Sequence, residues 1–146
     1  MNDLRVGRES LRVSMGESMD RETGVIEHPK FRMWLRPDGI VQLVWILRTT
    51  ALLEDAIATL AAMAQLTGGR RSPLLVDMRH TGPQSRPARL EFARRGDLVS
   101  AVALVVGTPL GRMAGNLFIN MYRPPTPTRL FDEEASAVAW LKRFAG

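Results

Sequence analysis

Residues 72–82, with the sequence SPLLVDMRHTG, constrain the fold more than any other part of the chain. A short apolar run over residues 74–76 ends at Asp77 and gives way to a polar connection rich in glycine and proline. An apolar run of this length is typical of a strand that is buried on both faces, as in a parallel sheet. Ligands and partners of open α/β sheets collect where such strands end. We therefore expect the functional surface to lie at the end of this strand.

The side chains that follow the predicted strand form the candidate partner-binding site. They are Asp77, Arg79, His80, Thr81, Ser85, Arg86 and Arg89. Two roles are open for Asp77, since its carboxylate can contact a partner or close the loop by accepting backbone N–H groups. Thr81 and Ser85 are candidate phosphoacceptors of a regulatory switch. A phosphate there would meet the positive end of the next helix and the nearby arginines.

The net charge of +5 comes from one segment of the sequence. Residues 70–96 hold seven arginines against two acids, and the rest of the chain is balanced. A local basic region attracts acidic proteins, phosphates or nucleic acid. Its one aromatic residue, Phe92, is expected on the inner side of a helix and offers no platform for stacked bases. We therefore expect a protein partner, acidic in character, and no nucleic acid.

Composition argues against several classes of function. The chain has no cysteine, so disulfides, thiolate chemistry and cysteine-based zinc sites are excluded. His28 and His80 are far apart in sequence, and we expect no metal site and no cofactor. His80 lies near Asp77 and Ser85, as in a hydrolase, but there is no Gly-x-Ser-x-Gly elbow. We predict that the protein is not an enzyme.

The longest apolar segment, residues 98–106, is far shorter than the roughly 20 residues that span a bilayer. The N-terminus lacks the apolar core of a signal peptide. We therefore expect a cytoplasmic location and no membrane span.

The remaining periodicity predicts the order ββαβαβαβα, with four helices packed on a mostly parallel sheet that begins with an antiparallel hairpin. The predicted strands are 31–35, 40–47, 73–78, 98–106 and 129–131. The predicted helices cover 51–67, begin at residues 85–87 and at residues 108–109, and cover 133–144. Thr49 or Thr50 is expected to cap the first helix.

Apolar residues at helical spacing predict which helix faces are buried. The first helix is expected to turn Leu53, Ile57, Leu60 and Ala64 towards the core. The second is expected to bury Ala88, Leu90, Phe92 and Ala93. The third is expected to bury a stripe that includes Leu110, Met113, Leu117 and Met121. Gly111 and Gly115 share one edge of this helix, where another backbone could approach closely.

Residues 1–24 read as an N-terminal arm outside a domain that covers residues 25–146. The arm contains a weak duplication, LRVGRES followed by LRVSMGES. It is expected to be a flexible extension, two short strands or a segment that orders on a partner. A homodimer is expected through this arm or through an exposed strand edge.

Three segments resemble the STAS-like, or SpoIIAA-like, domains of bacterial anti-sigma-factor antagonists. They are LLVDMRHTG, LVSAVALVVGTPLGRMAGNLF and TRLFDEEASAVAWLKRF, and the resemblance extends over residues 25–146. It implies a regulatory domain that binds a protein through the loop after residues 73–78 and the start of the next helix. In the family, an Asp-x-Ser loop carries the phosphorylated serine. Here Asp77-Met78-Arg79 places an arginine at that position, so the switch would need Thr81 or Ser85.

A second function from another class is open. Met63, Met113, Met121 and Trp140 could line a cavity for a small, apolar, lipid-like ligand, although such residues more often pack a core.

Overall fold

The computed structural model describes residues 18–20, 24–46, 48, 50–80, 84–122 and 126–145. Its strands are β1 (Ser18–Asp20), β2 (Val25–Glu27), β3 (Phe31–Leu35), β4 (Val41–Trp45), β5 (Ser72–Asp77), β6 (Val99–Val105) and β7 (Thr128–Phe131). Its helices are α1 (Leu53–Thr67), α2 (Arg86–Arg94), α3 (Pro109–Tyr122) and α4 (Glu134–Leu141), with 3-10 turns at Gly96–Leu98 and Lys142–Phe144.

The seven strands form one mixed sheet in which the strand order follows the sequence. Neighbours from β1 to β4 are antiparallel, and neighbours from β4 to β7 are parallel. From β3 onwards the order is the predicted ββαβαβαβα, with an initial hairpin and three parallel pairs. The predicted fold class is therefore confirmed.

The sequence did not reveal β1 and β2 as strands of this sheet. Each has three residues, which is too short for an alternating pattern to stand out. β1 belongs to the predicted arm, and it pairs antiparallel with β2 across the proposed boundary at residue 24. The duplicated segment lies outside the described residues, apart from Ser18.

Helices cover both faces of the sheet, but unequally. The core beneath α1, α2 and α3 includes Phe31, Met33, Leu43, Trp45, Met63, Val76 and Leu104. The core beneath α4 includes Ile40, Leu75, Ala101, Ala103, Val105, Ala137 and Leu141. Right-handed crossovers that advance in one direction place their helices on the same side, which accounts for the first three helices. β5 lies between β4 and β6 and is buried on both faces, as predicted.

Two helix starts were predicted correctly, and one was not. Ser85 caps α2 by accepting the N–H of Ala88 at 3.2 Å, and the Thr108 hydroxyl accepts the N–H of Gly111 at 2.9 Å. The expected threonine cap of α1 is wrong, because the N-cap residue is Leu52. The carboxylate of Asp55 replaces the cap by accepting the N–H of Leu52 at 2.8 Å.

The predicted buried stripes of α1 and α2 are wrong in part. Leu53 and Ile57 are 42% and 39% exposed, whereas Asp55 lies in the interior. Alanines on the buried side of α1 allow the helix to approach the sheet closely. Leu90 and Ala93 of α2 are likewise exposed, while Ala88 is buried.

The burial predicted for α3 is also wrong for three residues of its apolar stripe. Leu110, Met113 and Leu117 are 76%, 68% and 60% exposed, and we call this surface the α3 outer face. The helix instead turns Gly115 towards the sheet. A Cβ atom on Gly115 would lie 2.8 Å from Cδ2 of Leu130, so the missing side chain is what lets α3 rest against β7. The neighbour at Gly115 is thus a side chain, and not the backbone that was expected to approach this glycine edge.

Candidate functional site

The candidate site lies at the carboxyl edge of the sheet, where β5, β6 and β7 end. The register places Asp77 beside Val105 and Val105 beside Phe131. The N–H of Met78 extends this pairing by donating to the carbonyl of Val105 at 2.9 Å. The last side chain of β5 is therefore delivered to this edge, as the sequence predicted.

Asp77 closes the loop that follows β5. Its Oδ1 accepts the backbone N–H of Arg79 at 3.0 Å and Nε of the same residue at 2.9 Å. Its Oδ2 accepts Nη2 of Arg79 at 2.6 Å. These bonds hold the pKa of the Asp77 carboxyl below its ordinary 3.8, against the opposing effect of partial burial. Asp77 has the loop-closing role that was one of its two predicted roles.

Arg79 connects the loop after β5 to the loop after β6. Gly107, just beyond β6, has a φ of 71°, and a Cβ atom there would lie 2.9 Å from Cγ of Arg79. The aliphatic part of the arginine therefore packs over the glycine, while about half of its side chain stays exposed. Through this contact the start of α3 adjoins the predicted site.

The other predicted site residues flank the start of α2. Ser85 is tethered to the chain before α1, because its N–H donates to the carbonyl of Ala51 at 2.9 Å. Nη1 of Arg89 donates to the carbonyl of Gln84 at 2.6 Å. The side chains of His80 and Arg86 are exposed. Thr81 lies outside the described residues.

The seven arginines of residues 70–96 do not share one surface, contrary to the prediction of a local patch around Asp77. Only Arg79, Arg86 and Arg89 are near the carboxyl edge. The other four, Arg70, Arg71, Arg94 and Arg95, lie near the start of β5 or before the start of β6, at the opposite edge. The reason is that a six-residue strand carries the chain roughly 20 Å. Arg94 and Arg95 are also paired, with Glu91 and Asp97.

Sequence reasoning missed a row of polar side chains on the face covered by α4. Gln42 is buried, accepts Nη1 of Arg36 at 3.1 Å and donates to Oε1 of Glu134 at 3.1 Å. Arg36 also holds both carboxylate oxygens of Asp38. Desolvation raises the pKa of Asp38, but the hydrogen bonds from Arg36 and from the N–H of Ile40, together with the charge of Arg36, outweigh it and lower this pKa below its ordinary value. A glutamine inside the apolar run IVQLVWIL was the signal that could have revealed this row.

A groove of about 700 Å³ lies between β7 and α3, and the sequence did not indicate it. We call it the β7 groove. Arg112, Asn116 and Ile119 of α3 form one wall, and all four residues of β7 form the other. Asp132 and Glu133, just beyond β7, and Ser136 of α4 complete the lining. Arg112 crosses one end, where its Nη2 lies 2.9 Å from Oδ1 of Asp132. The available signal was the spacing of four between Arg112, Asn116 and Asn120, but this pattern is also typical of a helix face exposed to solvent.

The residues that were considered as the lining of an apolar cavity do not come together. Met63 is buried beneath α1, and Met113 belongs to the exposed α3 outer face. Trp140 lies on the other side of the sheet, between the rings of Phe131 and Phe144. The side chain of Met121 is outside what the structure describes.

Two general features of the described ranges concern cofactors and membranes. Within them, no three histidine, aspartate or glutamate side chains are grouped so as to hold a metal ion. In the same ranges, no helix combines the length and the apolar character that crossing a bilayer requires.

Comparisons with known proteins identify the fold. An uncharacterised protein of the DUF3478 family from Shewanella loihica PV-4, described as having a SpoIIAA-like fold, is similar over 76% of this chain and 91% of its own, with a TM-score of 0.55 and 16% identity. A protein of unknown function from Arthrobacter sp. FB24 is 28% identical over 75% of this chain and 90% of its own, with a TM-score of 0.27. No curated protein matches the chain.

The first of these likenesses confirms the SpoIIAA-like fold that the sequence predicted. A family described as a domain of unknown function, DUF7793, matches residues 33–145, and the chain belongs to this family.

Proposed function

We propose that this protein is a non-enzymatic regulatory domain that binds a protein partner at the carboxyl edge of its sheet, in the bacterial cytoplasm. The proposed surface begins with the loop after β5 and the start of α2. It presents the exposed cationic or titratable side chains of Arg79, His80 and Arg86. These groups favour a partner with acidic residues at the rim of the contact.

The α3 outer face is the observation that carries this proposal. Its three apolar side chains are each more than half exposed, and contiguous exposed apolar surface marks interaction sites on soluble proteins. Leu110 lies in the first turn of α3, close behind Gly107, which contacts Arg79. The cationic loop and the apolar helix face therefore adjoin. This combination resembles the polar rim and apolar centre of protein interfaces.

The proposal includes a phosphorylation switch at Ser85 or Thr81. Ser85 occupies the N-cap of α2, so a phosphate on it would meet the positive end of the helix and the neighbouring Arg86 and Arg89. Mass spectrometry of protein from its native host is the test. If both residues stay unmodified in all growth conditions, the switch is removed from the proposal.

The binding surface can be tested by affinity capture from the native host with quantitative mass spectrometry. The variant is His80→Glu/Arg86→Glu. Both native side chains are exposed, so the substitutions add a negative charge at residue 80 and reverse the charge at residue 86 without disturbing the core. The matched control is Arg70→Glu, an exposed arginine at the opposite edge. The expected result is that a protein captured by the wild type and by the control is depleted at least tenfold with the variant. Equal capture by all three proteins would show that the partner binds elsewhere.

The alternative, a carrier of small apolar ligands, has less support because Met63, Met113 and Trp140, the candidate lining residues whose side chains the structure describes, lie in three different places. Native mass spectrometry of the purified protein distinguishes the two functions. A stoichiometric apolar ligand would favour the carrier. The homodimer expected from the sequence would form through an exposed strand edge such as β1 or through the N-terminal arm. Light scattering with and without residues 1–17 measures the contribution of the arm.

A further inference from the structure

β7 is an edge strand with hydrogen-bonding groups that point away from the sheet. Among the described strands it pairs with β6 alone. The carbonyls of Pro127, just before the strand, and of Phe131, at its end, point inward and accept the N–H groups of Val102 at 2.8 Å and Val106 at 3.0 Å. Because inward and outward groups alternate along a strand, the backbones of Thr128 and Leu130 face the β7 groove. Such an edge is a template for another strand.

The groove has two different walls. α3 runs beside β7 and is held close to it by the contact of Gly115 with Leu130. The wall that α3 presents consists of Arg112, Asn116 and Ile119. One side of the groove thus offers main-chain groups, and the other offers side chains. Domains that bind peptides by strand addition combine the same two elements.

We infer that the β7 groove binds an extended segment of a partner polypeptide, which adds to β7 as an antiparallel strand. The outward residues Thr128 and Leu130 each offer one N–H and one C=O. They could form up to four main-chain hydrogen bonds with two residues of the segment. The groove is lined by residues other than those of the carboxyl-edge surface, and the inference does not depend on the proposed function.

The side chains around the groove indicate which residue types the bound segment should contain. Residues opposite Thr128 and Leu130 would point to the α3 side, where Ile119 and Leu130 are apolar. The residue between them would lie opposite Arg129, on the other face. Arg129 is exposed there, with its guanidinium carbon 5.5 Å from the centre of the Phe131 ring. The expected pattern is therefore apolar–acidic–apolar, with β-branched residues favoured at the apolar positions.

A second copy of β7 fits the groove less well than such a segment. In the antiparallel register that uses both outward residues of each copy, Thr128 pairs with Leu130 of the other chain. Arg129 then lies directly opposite Arg129. Like charges opposite each other destabilise a strand pair. The charge at the centre of β7 therefore favours an acidic partner segment over self-association.

The test is a fluorescence anisotropy titration of the full chain with a labelled peptide, Ser-Thr-Val-Glu-Val-Thr-Ser. Two control peptides carry lysine in place of glutamate, or N-methyl groups on both valines. The expected result is that each control binds at least tenfold more weakly. Amide shifts in an NMR titration are expected at Thr128 and Leu130.

Two variants of the protein make the test specific. Arg129→Glu is expected to reverse the preference, so that the lysine peptide binds more tightly than the glutamate peptide. Thr128→Pro removes an outward N–H, which an edge strand tolerates, and is expected to reduce binding at least tenfold. Arg143→Glu, an exposed charge change after α4, should leave binding unchanged. Circular dichroism verifies that each variant is folded.

Several results would overturn the inference. They are equal binding of the glutamate and N-methylated peptides, absence of binding by every peptide, and amide shifts confined to residues outside the groove. A dimer that light scattering detects in the wild type and that Thr128→Pro abolishes would assign the edge to a second copy instead.

Discussion

The ammonium group of Lys30 lies 2.6 Å from the buried carboxylate of Asp55 and joins the turn before β3 to the first turn of α1. The same ammonium donates to the carbonyl of Thr50 at 3.1 Å. Oδ2 of Asp55 also accepts the N–H of Leu52. To form this ion pair, Asp55 has to lie on the face of α1 that packs against the sheet. This pair therefore fixes the rotation of α1 that leaves Leu53 and Ile57 outside.

Asp55→Asn is expected to lower the free energy of unfolding by about 1–3 kcal/mol. The amide loses the charge-assisted bond to Lys30 and leaves the ammonium with one fewer partner in a partly buried site. Urea unfolding at neutral pH measures the loss. Glu54→Gln is the control, because Glu54 is exposed in the same turn, and surface changes of this kind usually stay within roughly 0.5 kcal/mol. An Asp55→Asn protein as stable as the control would show that the pair contributes nothing net.

His28 is expected to make stability depend on pH near neutrality. Its Nδ1 accepts the N–H of Lys30 at 3.1 Å, and its ring stacks on Phe31 with 4.4 Å between centroids. Burial lowers the pKa of His28 below its ordinary 6.5, although Asp55 opposes the shift. The unfolded chain therefore takes up the proton first as the pH falls. The contribution of His28 to the free energy of unfolding is complete above pH 6.5, and it is lost as the pH falls from 6.5 through the folded-state pKa.

Urea unfolding at several pH values between 7.5 and 5 measures this dependence. His28→Asn should flatten it, because asparagine can still accept the N–H two residues on but does not titrate. His80→Asn is the matched control, since His80 is exposed, and it should retain the wild-type slope. A wild-type slope in the His28→Asn protein would contradict the assignment.

Asp77 is expected to stabilise the fold at neutral pH and to stop doing so in acid. Hydrogen bonds from Arg79 lower the folded-state pKa of Asp77 below 3.8, so its contribution is complete above 3.8 and is lost as the pH falls through the folded-state pKa. Asp77→Asn should cost about 1 kcal/mol at pH 7, a modest value because half of the Arg79 side chain is in water.

The check is urea unfolding of the wild type and Asp77→Asn at pH 7 and at pH 3, where the difference between the two free energies should be smaller than at pH 7. Asp132→Asn serves for comparison. Its carboxylate also binds an arginine, but its side chain is 69% exposed, so a smaller loss is expected at pH 7. A difference between wild type and Asp77→Asn that is the same at both pH values would assign the effect to packing rather than to charge.

Features encoded within a few residues of sequence were predictable. The burial of β5 follows from the run of residues 74–76, and its polar end follows from Asp77. The caps at Ser85 and Thr108 follow from their spacing to proline and to the next turn. The order of elements follows from alternating periodicities. Each of these depends on local propensity or on burial of a whole segment.

Features that depend on contacts between distant residues were not predictable. The rotation of α1 depends on Lys30, which lies 25 residues before Asp55. The division of the arginines between two edges depends on where β5 and α2 begin and end. The β7 groove depends on how closely α3 approaches Leu130. The spacing of apolar residues predicted that the α3 outer face would be buried. Spacing alone does not reveal that Gly115, which has no side chain, is the residue that packs against β7.

Gly115→Ala is expected to destabilise the protein although alanine is the better helix former. Helix propensity should add about 1 kcal/mol, whereas forcing a methyl group against a fixed core side chain typically costs roughly 1–3 kcal/mol. The Cβ would lie 2.8 Å and 3.1 Å from the two Cδ atoms of Leu130, which is buried. Overpacking should therefore win, and the free energy of unfolding should fall by about 1 kcal/mol.

A double-mutant cycle separates the two effects of this alanine. In a Leu130→Ala background the methyl group has room, so Gly115→Ala should become neutral or stabilising, and the coupling should be favourable. Asn120→Ala, at an exposed position of the same helix, reports the propensity gain without the contact. If Gly115→Ala changes the free energy of unfolding equally in both backgrounds, Leu130 does not set the distance between α3 and β7. The width of the β7 groove would then have another origin.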